Sequence, residues 1–173
     1  MPNQIFLSDI ANYHNDVEAS LKLHFSRTNP DYDSRFATYL SSEVTRELVD
    51  RISETNIRSA LVVLARLEAA FRIDYNARCK GKMADNISVK FRKLDKAYQK
   101  KRGGRVRLDE DIFEIWRQEG NQNLKNLISQ LRGFFKFRHW ISHGRYWAVG
   151  RSHDFQDIYL LADAIISEFP LHS

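Results

Sequence analysis

The sequence contains few of the residues that build disulfide frameworks, tight turns or membrane spans. Cys79 is the only cysteine among 173 residues, which excludes an intrachain disulfide and a zinc site built from several thiolates. No apolar run approaches the roughly 20 residues that span a bilayer. The first residues show neither a basic start nor an apolar stretch of secretory length. We therefore expect a cytoplasmic protein that does not associate with membranes.

Glycine and proline, which interrupt helices, are also scarce. The chain has seven glycines and three prolines, and no convincing stretch of alternating polar and apolar residues predicts a strand. Hydrophobic residues make up 43% of the chain, enough for one well-packed core. We predict a single all-α domain over residues 1–173, a helical bundle of five to seven helices.

Caps, turns and hydrophobic spacing divide the chain into predicted helices. Ser53 to Asn56 are possible caps, so we expect a break or kink there, after the helix that opens at Ser41. In the first helix we expect a buried stripe formed by Ile10, Tyr13, Val17, Leu21 and Phe25. In the last helix the expected core face is Ile158, Leu161, Ala162, Ile165 and Ile166. The predicted helices cover about 8–25, 41–52, 57–80, 85–101, 109–119, 123–143 and 154–169.

Basic residues are in excess and concentrate in one segment. Lys and Arg number 27 against 22 Asp and Glu, a formal net charge of +5. Between Lys90 and Arg107 there is a single acid, Asp95, among nine basic residues. Such a run either follows a phosphate backbone or is only a solvated face, and the sequence favours neither reading. The candidate RNA-binding residues in this run are Lys100, Lys101, Arg102 and Arg105.

An arginine lies in the apolar stripe of the predicted helix 123–143. At about 100° per residue, Arg138 projects from the middle of that stripe. Burying an unpaired guanidinium is costly, so Arg138 needs either an acidic partner or an opening to solvent at that point. For a purely structural ion pair, Glu68 and Asp163 are the candidate partners. The stripe itself consists of Leu124, Leu127, Ile128, Leu131, Phe134 and Phe135.

Two histidines flank the same end of this helix. His139 and His143 are four residues apart and therefore neighbours on one helical face, with Ser142 between them. This spacing also suits a two-histidine metal site. We favour the reading without a metal, because no acidic residue falls inside the segment and the other histidines are scattered.

The segment from Arg138 to His143 resembles the signature of the HEPN superfamily, an all-helical group that includes many RNases and toxins. That signature is an arginine, four to six residues and then a histidine, often with a polar residue directly after the arginine. Here the polar residue is His139, and the glycine that usually follows the histidine is present as Gly144. The resemblance covers the motif and the helical architecture.

The resemblance implies RNA cleavage that requires no metal or cofactor, by a homodimer whose paired motifs form a composite active site. In that reading His143 is the general acid or base and Arg138 holds the scissile phosphate, while His139 and Ser142 orient them. Arg145 joins the RNA-binding residues. Such RNases include toxins and phage-defence effectors, so an antitoxin or another protein is a further expected partner beside RNA.

Two other readings of the chain remain open. The first is a catalytically silent HEPN-like module that binds RNA, a nucleotide or a protein, because a shared fold does not settle activity. The second is a purely structural dimerisation bundle, in which a carboxylate seals Arg138 and His143 points into the core. Trp140, Tyr146 and Trp147 either stack on bases or belong to the core, and the core is the commoner case.

One further set of charged residues lies on the longest predicted helix. Some HEPN members carry a supporting acid and base on such a helix, and Arg66, Glu68 and Arg72 are the corresponding residues here. The spacing of Glu68 and Arg72 is that of an ordinary intrahelical pair, and we favour a structural role for all three.

Overall fold

The protein is a bundle of helices in the computed structural model, which describes residues 6–100, 104–144 and 154–172. Those residues contain seven α-helices, one π-helical turn and no strand, which confirms the predicted all-α bundle of five to seven helices. None of the described helices is both long and apolar enough to cross a membrane. The elements are α1 (Leu7–His24), α2 (Tyr32–Phe36), α3 (Ser41–Lys80), α4 (Asn86–Lys100), the π-helical turn (Leu108–Ile112), α5 (Phe113–Glu119), α6 (Gln122–Ser142) and α7 (Phe155–Glu168).

Helix α3 is the longest element of the bundle, and α1, α4, α6 and α7 all pack against it. Its 40 residues correspond to a length of about 60 Å. The Glu43 carboxylate accepts a hydrogen bond from the Leu40 backbone N–H at 2.7 Å and so caps the start. The helix ends at Gly81, as predicted.

The predicted break at residues 53–56 is wrong, because α3 runs through it without interruption. The polar residues there bond within the helix instead of capping it. Thr55 Oγ1 donates to the Arg51 carbonyl at 2.9 Å, and Arg58 Nε donates to Glu54 Oε1 at 3.1 Å. Side chains that can cap a helix can equally bond back onto the preceding turn.

The main core lies where α3 meets the π-helical turn and helices α4 to α7. Its largest fully buried side chains include Trp116, Phe71, Phe91 and Phe113. A smaller separate cluster, formed by Phe25, Phe36 and Val44, joins the end of α1 to α2 and to the start of α3.

Two residues assigned to the core from the sequence are exposed. Tyr13 is 71% exposed, and the adjacent His14 is buried in its place. His14 Nδ1 lies 3.1 Å from Ser59 Oγ, and its ring stacks on Phe155 with the centroids 4.0 Å apart. In α7, Ile166 is 39% exposed, whereas its four predicted core partners are buried.

A buried arginine ties the C-terminal segment to α3 and α4. Arg78 is 3% exposed and donates from Nε to Asp74 at 2.7 Å, from Nη1 to Asp85 at 2.9 Å and from Nη2 to the Pro170 carbonyl at 2.8 Å. The backbone N–H of His172 donates to the same Asp74 oxygen at 2.9 Å. These bonds satisfy the buried guanidinium and fix the chain end beyond α7.

Candidate functional site at the end of α6

Helix α6 carries the Arg138–His143 motif in its last two turns, as predicted. Its start is capped by Asn121, whose side-chain oxygen accepts a hydrogen bond from the Leu124 backbone N–H at 3.0 Å. The inner face of the helix is fixed by buried side chains, which makes the position of the motif a consequence of core packing. These buried residues are Leu124, Leu127, Ile128, Leu131 and Phe137.

Arg138 contacts an acid on the neighbouring helix α3. Its Nη1 lies 2.6 Å from Glu68 Oε2, and its Cζ lies 5.6 Å from the centre of the Phe135 ring. The other oxygen of Glu68 accepts a hydrogen bond from Arg72 Nε at 2.8 Å. One carboxylate therefore lies between two guanidiniums, and of the two acids considered as partners, Glu68 is the one that Arg138 meets.

The contact between Arg138 and Glu68 is close but not well directed. Glu68 Oε2 and Arg138 Nε are both buried, and neither has a properly angled hydrogen bond in the described part of the chain. We infer that the pair is held mainly by charge attraction, because the short distance is not accompanied by hydrogen-bond geometry. The Arg138 side chain is 34% exposed, so the carboxylate does not seal it from solvent.

Both histidines of the motif are exposed and close together. The ring centroids of His139 and His143 are 4.1 Å apart, with the planes inclined at 55°. His143 is the C-cap residue, and its backbone N–H donates to the His139 carbonyl at 3.1 Å. Because His143 is exposed, it does not point into the core as a purely structural bundle would require.

Ser142 is exposed, and its hydroxyl bonds to the backbone of its own helix. Ser142 Oγ donates to the Arg138 carbonyl at 2.9 Å, the usual back-bond of a helical serine. The Ser142 hydroxyl therefore bonds within its own helix.

Gly144 closes the C-terminal end of α6. Its φ of +83° lies in the left-handed region that glycine adopts without strain. Its N–H donates to the Ile141 carbonyl at 3.3 Å, as in the inner bond of a Schellman motif. Arg145, Tyr146 and Trp147, which follow, lie outside the described residues.

The basic run divides into structural and exposed residues. Lys90 pairs with Glu119 at 2.5 Å, and Arg107 pairs with Glu110. Arg92 donates to three backbone carbonyls around the end of α3, of which Met83 is the nearest at 2.6 Å. These bonds give three members of the run a structural role.

The exposed members form one face of α4. Lys93, Lys96 and Lys100 are exposed and follow one another at steps of three and four residues, the spacing of a single helical face. Arg105 is exposed in the segment after α4, while Lys101 and Arg102 lie outside the described residues. We call Lys93, Lys96 and Lys100 the α4 basic face.

Among the described residues, no group of three or more His, Cys, Asp or Glu side chains is arranged to hold a metal ion. Both oxygens of Glu68 face arginines, so this acid beside the motif is already paired. The side chains at this end of α6 thus offer imidazole and guanidinium groups for chemistry.

Comparison with known proteins gives no relative: no family model, no curated protein and no solved structure matches this chain. Function must therefore be inferred from the residues themselves. The sequence named Glu68 as one of two candidate partners of Arg138 and as the intrahelical partner of Arg72, but it did not predict that this one carboxylate contacts both arginines. The only sequence signals for it were the four-residue step from Glu68 to Arg72 and the need of a charged Arg138 for a partner.

Proposed function

We propose that this chain is a HEPN-like endoribonuclease that cleaves RNA through attack by the RNA's own 2′-hydroxyl, without a metal ion. The observation that supports this most is the arrangement at the end of α6. Glu68 holds Arg138 in place, and the Arg138 side chain remains about one-third exposed. His143, five residues further along the chain, is also exposed. A phosphate can therefore reach the guanidinium from solvent in the same last two turns of α6 that carry the imidazoles.

The chemistry requires two proton transfers and one stabilised charge. A general base removes the proton of the 2′-hydroxyl, whose oxygen attacks the phosphorus, and a general acid protonates the departing 5′-oxygen. The products are a 2′,3′-cyclic phosphate on the upstream fragment and a 5′-hydroxyl on the downstream one. Imidazole performs either transfer near neutral pH, which makes His143 the residue for one of them.

Arg138 suits the role of phosphate clamp because its guanidinium is already held beside a carboxylate and an aromatic ring. The Glu68 carboxylate holds one Nη, and the Phe135 ring lies against the guanidinium. A guanidinium held in place needs little reorganisation to stabilise negative charge that builds on the phosphate oxygens. In this proposal Glu68 is a positioning residue and does not touch the RNA.

The second proton transfer has two candidate groups. One is His139, whose ring lies 4.1 Å from that of His143. The other is the His143 of a second copy, because a two-fold dimer places each motif against itself. We expect a homodimer with a composite site. Light scattering that shows a monomer at about 10–50 µM would remove the second candidate, since a standard interface supports far tighter binding.

A silent binding module remains the alternative, and one observation favours it. Glu68 already neutralises part of the positive charge of Arg138 in the absence of RNA. A purely structural ion pair has the same property. The two readings differ in what they do to RNA, because a binding module leaves the strand intact.

The test is digestion of structured and single-stranded RNA by the purified protein in the presence of EDTA. We expect fragments that end in a 2′,3′-cyclic phosphate, identified by mass spectrometry. A DNA of the same sequence should resist, because it lacks the attacking hydroxyl. Equal cleavage of the DNA would refute the mechanism, and intact RNA under all conditions would favour the silent module.

A further inference from the structure

An open groove lies between α1, α2 and α3, far along the sequence from the α6 motif. Its volume is about 450 Å³, in the range of small-molecule sites. Helix α1 contributes five lining residues, while Arg35 of α2 and Arg51 of α3 complete the walls. The residues from α1 are Asp16, Val17, Ser20, Leu21 and His24.

Two guanidiniums of the groove rest on one pair of aromatic rings. The Cζ atom of Arg51 lies 5.5 Å from the centre of the Phe25 ring, and that of Arg35 lies 5.7 Å from the centre of the Phe36 ring. The two rings stack with centroids 5.3 Å apart and are buried in the smaller cluster. Because these rings are buried and stacked, both guanidiniums lie at the end of the groove where the two rings meet.

Only one of these two cations has an ion-pair partner in the described part of the chain. Arg51 pairs with Glu47 at 2.5 Å, but no ion pair to Arg35 is present within the described residues. His24 lines the same end, with its ring 5.2 Å from that of Phe25. A guanidinium has five N–H donors, so an anion at this end can bond to Arg35 and to the donors of Arg51 that Glu47 does not use.

The opposite end of the groove carries an acid. Helices α1 and α3 run antiparallel here, because His14 meets Ser59 whereas Phe25, further along α1, meets Arg51. Asp16 is eight residues before His24, which separates the two ends by about 12 Å along the helix axis. Between them Val17 and Leu21 form a partly buried apolar floor.

We propose that this groove binds a phosphorylated, hydroxyl-bearing small molecule, of the size of a nucleoside monophosphate. The phosphate lies between Arg35 and Arg51, with His24 beside it. The apolar floor takes the body of the ligand, and the Asp16 carboxylate accepts hydrogen bonds from its hydroxyl or amino groups. The proposal is independent of RNA cleavage, because none of these residues belongs to the α6 motif.

The test is calorimetric titration of the full chain with AMP, ribose 5-phosphate, inorganic phosphate, adenosine and a short RNA. We expect AMP or ribose 5-phosphate to bind with Kd of about 0.1–1 mM, the range of a weak but specific small-ligand site. Arg35→Ala and Arg51→Ala should each weaken this binding by about tenfold, since each removes a charged hydrogen bond to phosphate. Arg46→Ala, an exposed arginine on α3 outside the groove, is the matched control and should leave the Kd unchanged.

Two further variants distinguish binding in the groove from binding at the α6 motif. Asp16→Asn should weaken AMP binding but not phosphate binding, and His143→Ala should affect neither. Arg35 is exposed and makes no ion pair in the described part of the chain, so its replacement should not unfold the protein. Unchanged binding in both arginine variants, equal affinity for adenosine and AMP, or binding of RNA alone would each overturn the proposal. Loss of AMP binding in His143→Ala would also overturn it, by placing the nucleotide at the α6 motif.

Discussion

Arg138 on α6 and Glu68 on α3 approach to 2.6 Å, although 70 positions of the sequence separate them. Glu68 also accepts a hydrogen bond from Arg72, so its single charge is shared by two guanidiniums. The consequence for Arg138 is that it is held in position without being fully neutralised. This relationship links the packing of the two longest helices to the geometry of the proposed phosphate clamp.

The first prediction concerns that link. Glu68→Gln should lower the free energy of unfolding by about 1–2 kcal/mol, because two partly buried guanidiniums lose their charged acceptor. In an Arg138→Gln background, Glu68→Gln should lower the free energy of unfolding by a smaller amount, because one of the two arginine partners of Glu68 is already absent. Urea denaturation of the four proteins of this double-mutant cycle measures the difference.

Arg72→Gln is the matched control for Arg138→Gln, because it removes the other arginine partner of Glu68 and leaves Arg138 in place. If Glu68 positions the clamp, Glu68→Gln should slow RNA cleavage more than Arg72→Gln does. The same cost of Glu68→Gln with and without Arg138 would show that the observed ion pair carries no coupling.

The second prediction concerns the α4 basic face. Changing Lys93, Lys96 and Lys100 to Ala should make RNA binding less dependent on salt. The logarithmic slope should become smaller by about 2, or roughly 0.7 for each single-strand phosphate that is no longer neutralised. The cleavage position should stay the same, because bonds to phosphate do not read sequence. Binding measured between low and physiological salt checks this.

A control for the basic face comes from the same run of sequence. Lys90→Ala also removes one positive charge, but Lys90 is paired with Glu119 and should contribute less to RNA binding. If the triple variant keeps the slope of the unmodified protein, the α4 basic face is only a solvated surface.

The third prediction is a loss of stability in mild acid caused by His14. Burial lowers the pKa of His14 below the usual histidine value, and this outweighs the opposing effects of Glu18 and Asp154. The unfolded chain therefore takes up the proton first as the pH falls below about 6.5. The contribution of His14 to the free energy of unfolding should be fully present above that pH and should decrease as the pH falls toward the lowered pKa.

His14→Gln tests this prediction, because glutamine does not titrate and can still bond to Ser59. The free energy of unfolding of the variant should change less between pH 7 and 5 than that of the unmodified protein, a difference set by the one group removed. Parallel pH profiles for the two proteins would assign the acid sensitivity to other groups.

The fourth prediction concerns the buried Arg78. Arg78→Met should lower the free energy of unfolding by about 3–5 kcal/mol, because it leaves the fully buried Asp74 without its charged partner. Adding Asp74→Asn should recover part of the loss, since an uncharged amide costs less to bury. A double variant at least as unstable as Arg78→Met would contradict this account of the network.

Much of the helical framework follows from local signals. Ser41, Gly81, Gly120 and Gly144 mark helix ends in the sequence and lie at helix ends in the structure. Gly144 adopts a left-handed backbone that glycine takes without strain, and Gly120 lies where a Cβ would meet the Trp116 carbonyl, so both ends depend on features of the local sequence. The false break at residues 53–56 shows the limit, because a hydroxyl such as that of Thr55 serves a cap or a back-bond equally well.

Contacts between helices could not be predicted with the same accuracy. The burial of His14 in place of Tyr13 depends on Ser59 and Phe155, which come from two other helices. The placement of Arg138 in an apolar stripe showed that it needed an acid or an opening to solvent, and the structure provides both. The choice of Glu68 over Asp163 required the packing of α6 on α3, which one sequence does not contain.

The most direct test of the central claim is the rate of RNA cleavage in EDTA by His143→Ala. We expect a loss of about 10²-fold or more, the scale for removal of a general acid or base, while RNA binding persists. The cleavage rate of Arg138→Ala should also fall steeply, because the negative charge that Arg138 stabilises grows toward the transition state. Lys136→Ala, an exposed cation on the same helix, is the control and should keep its activity. Full cleavage by His143→Ala or by Arg138→Ala would contradict the account.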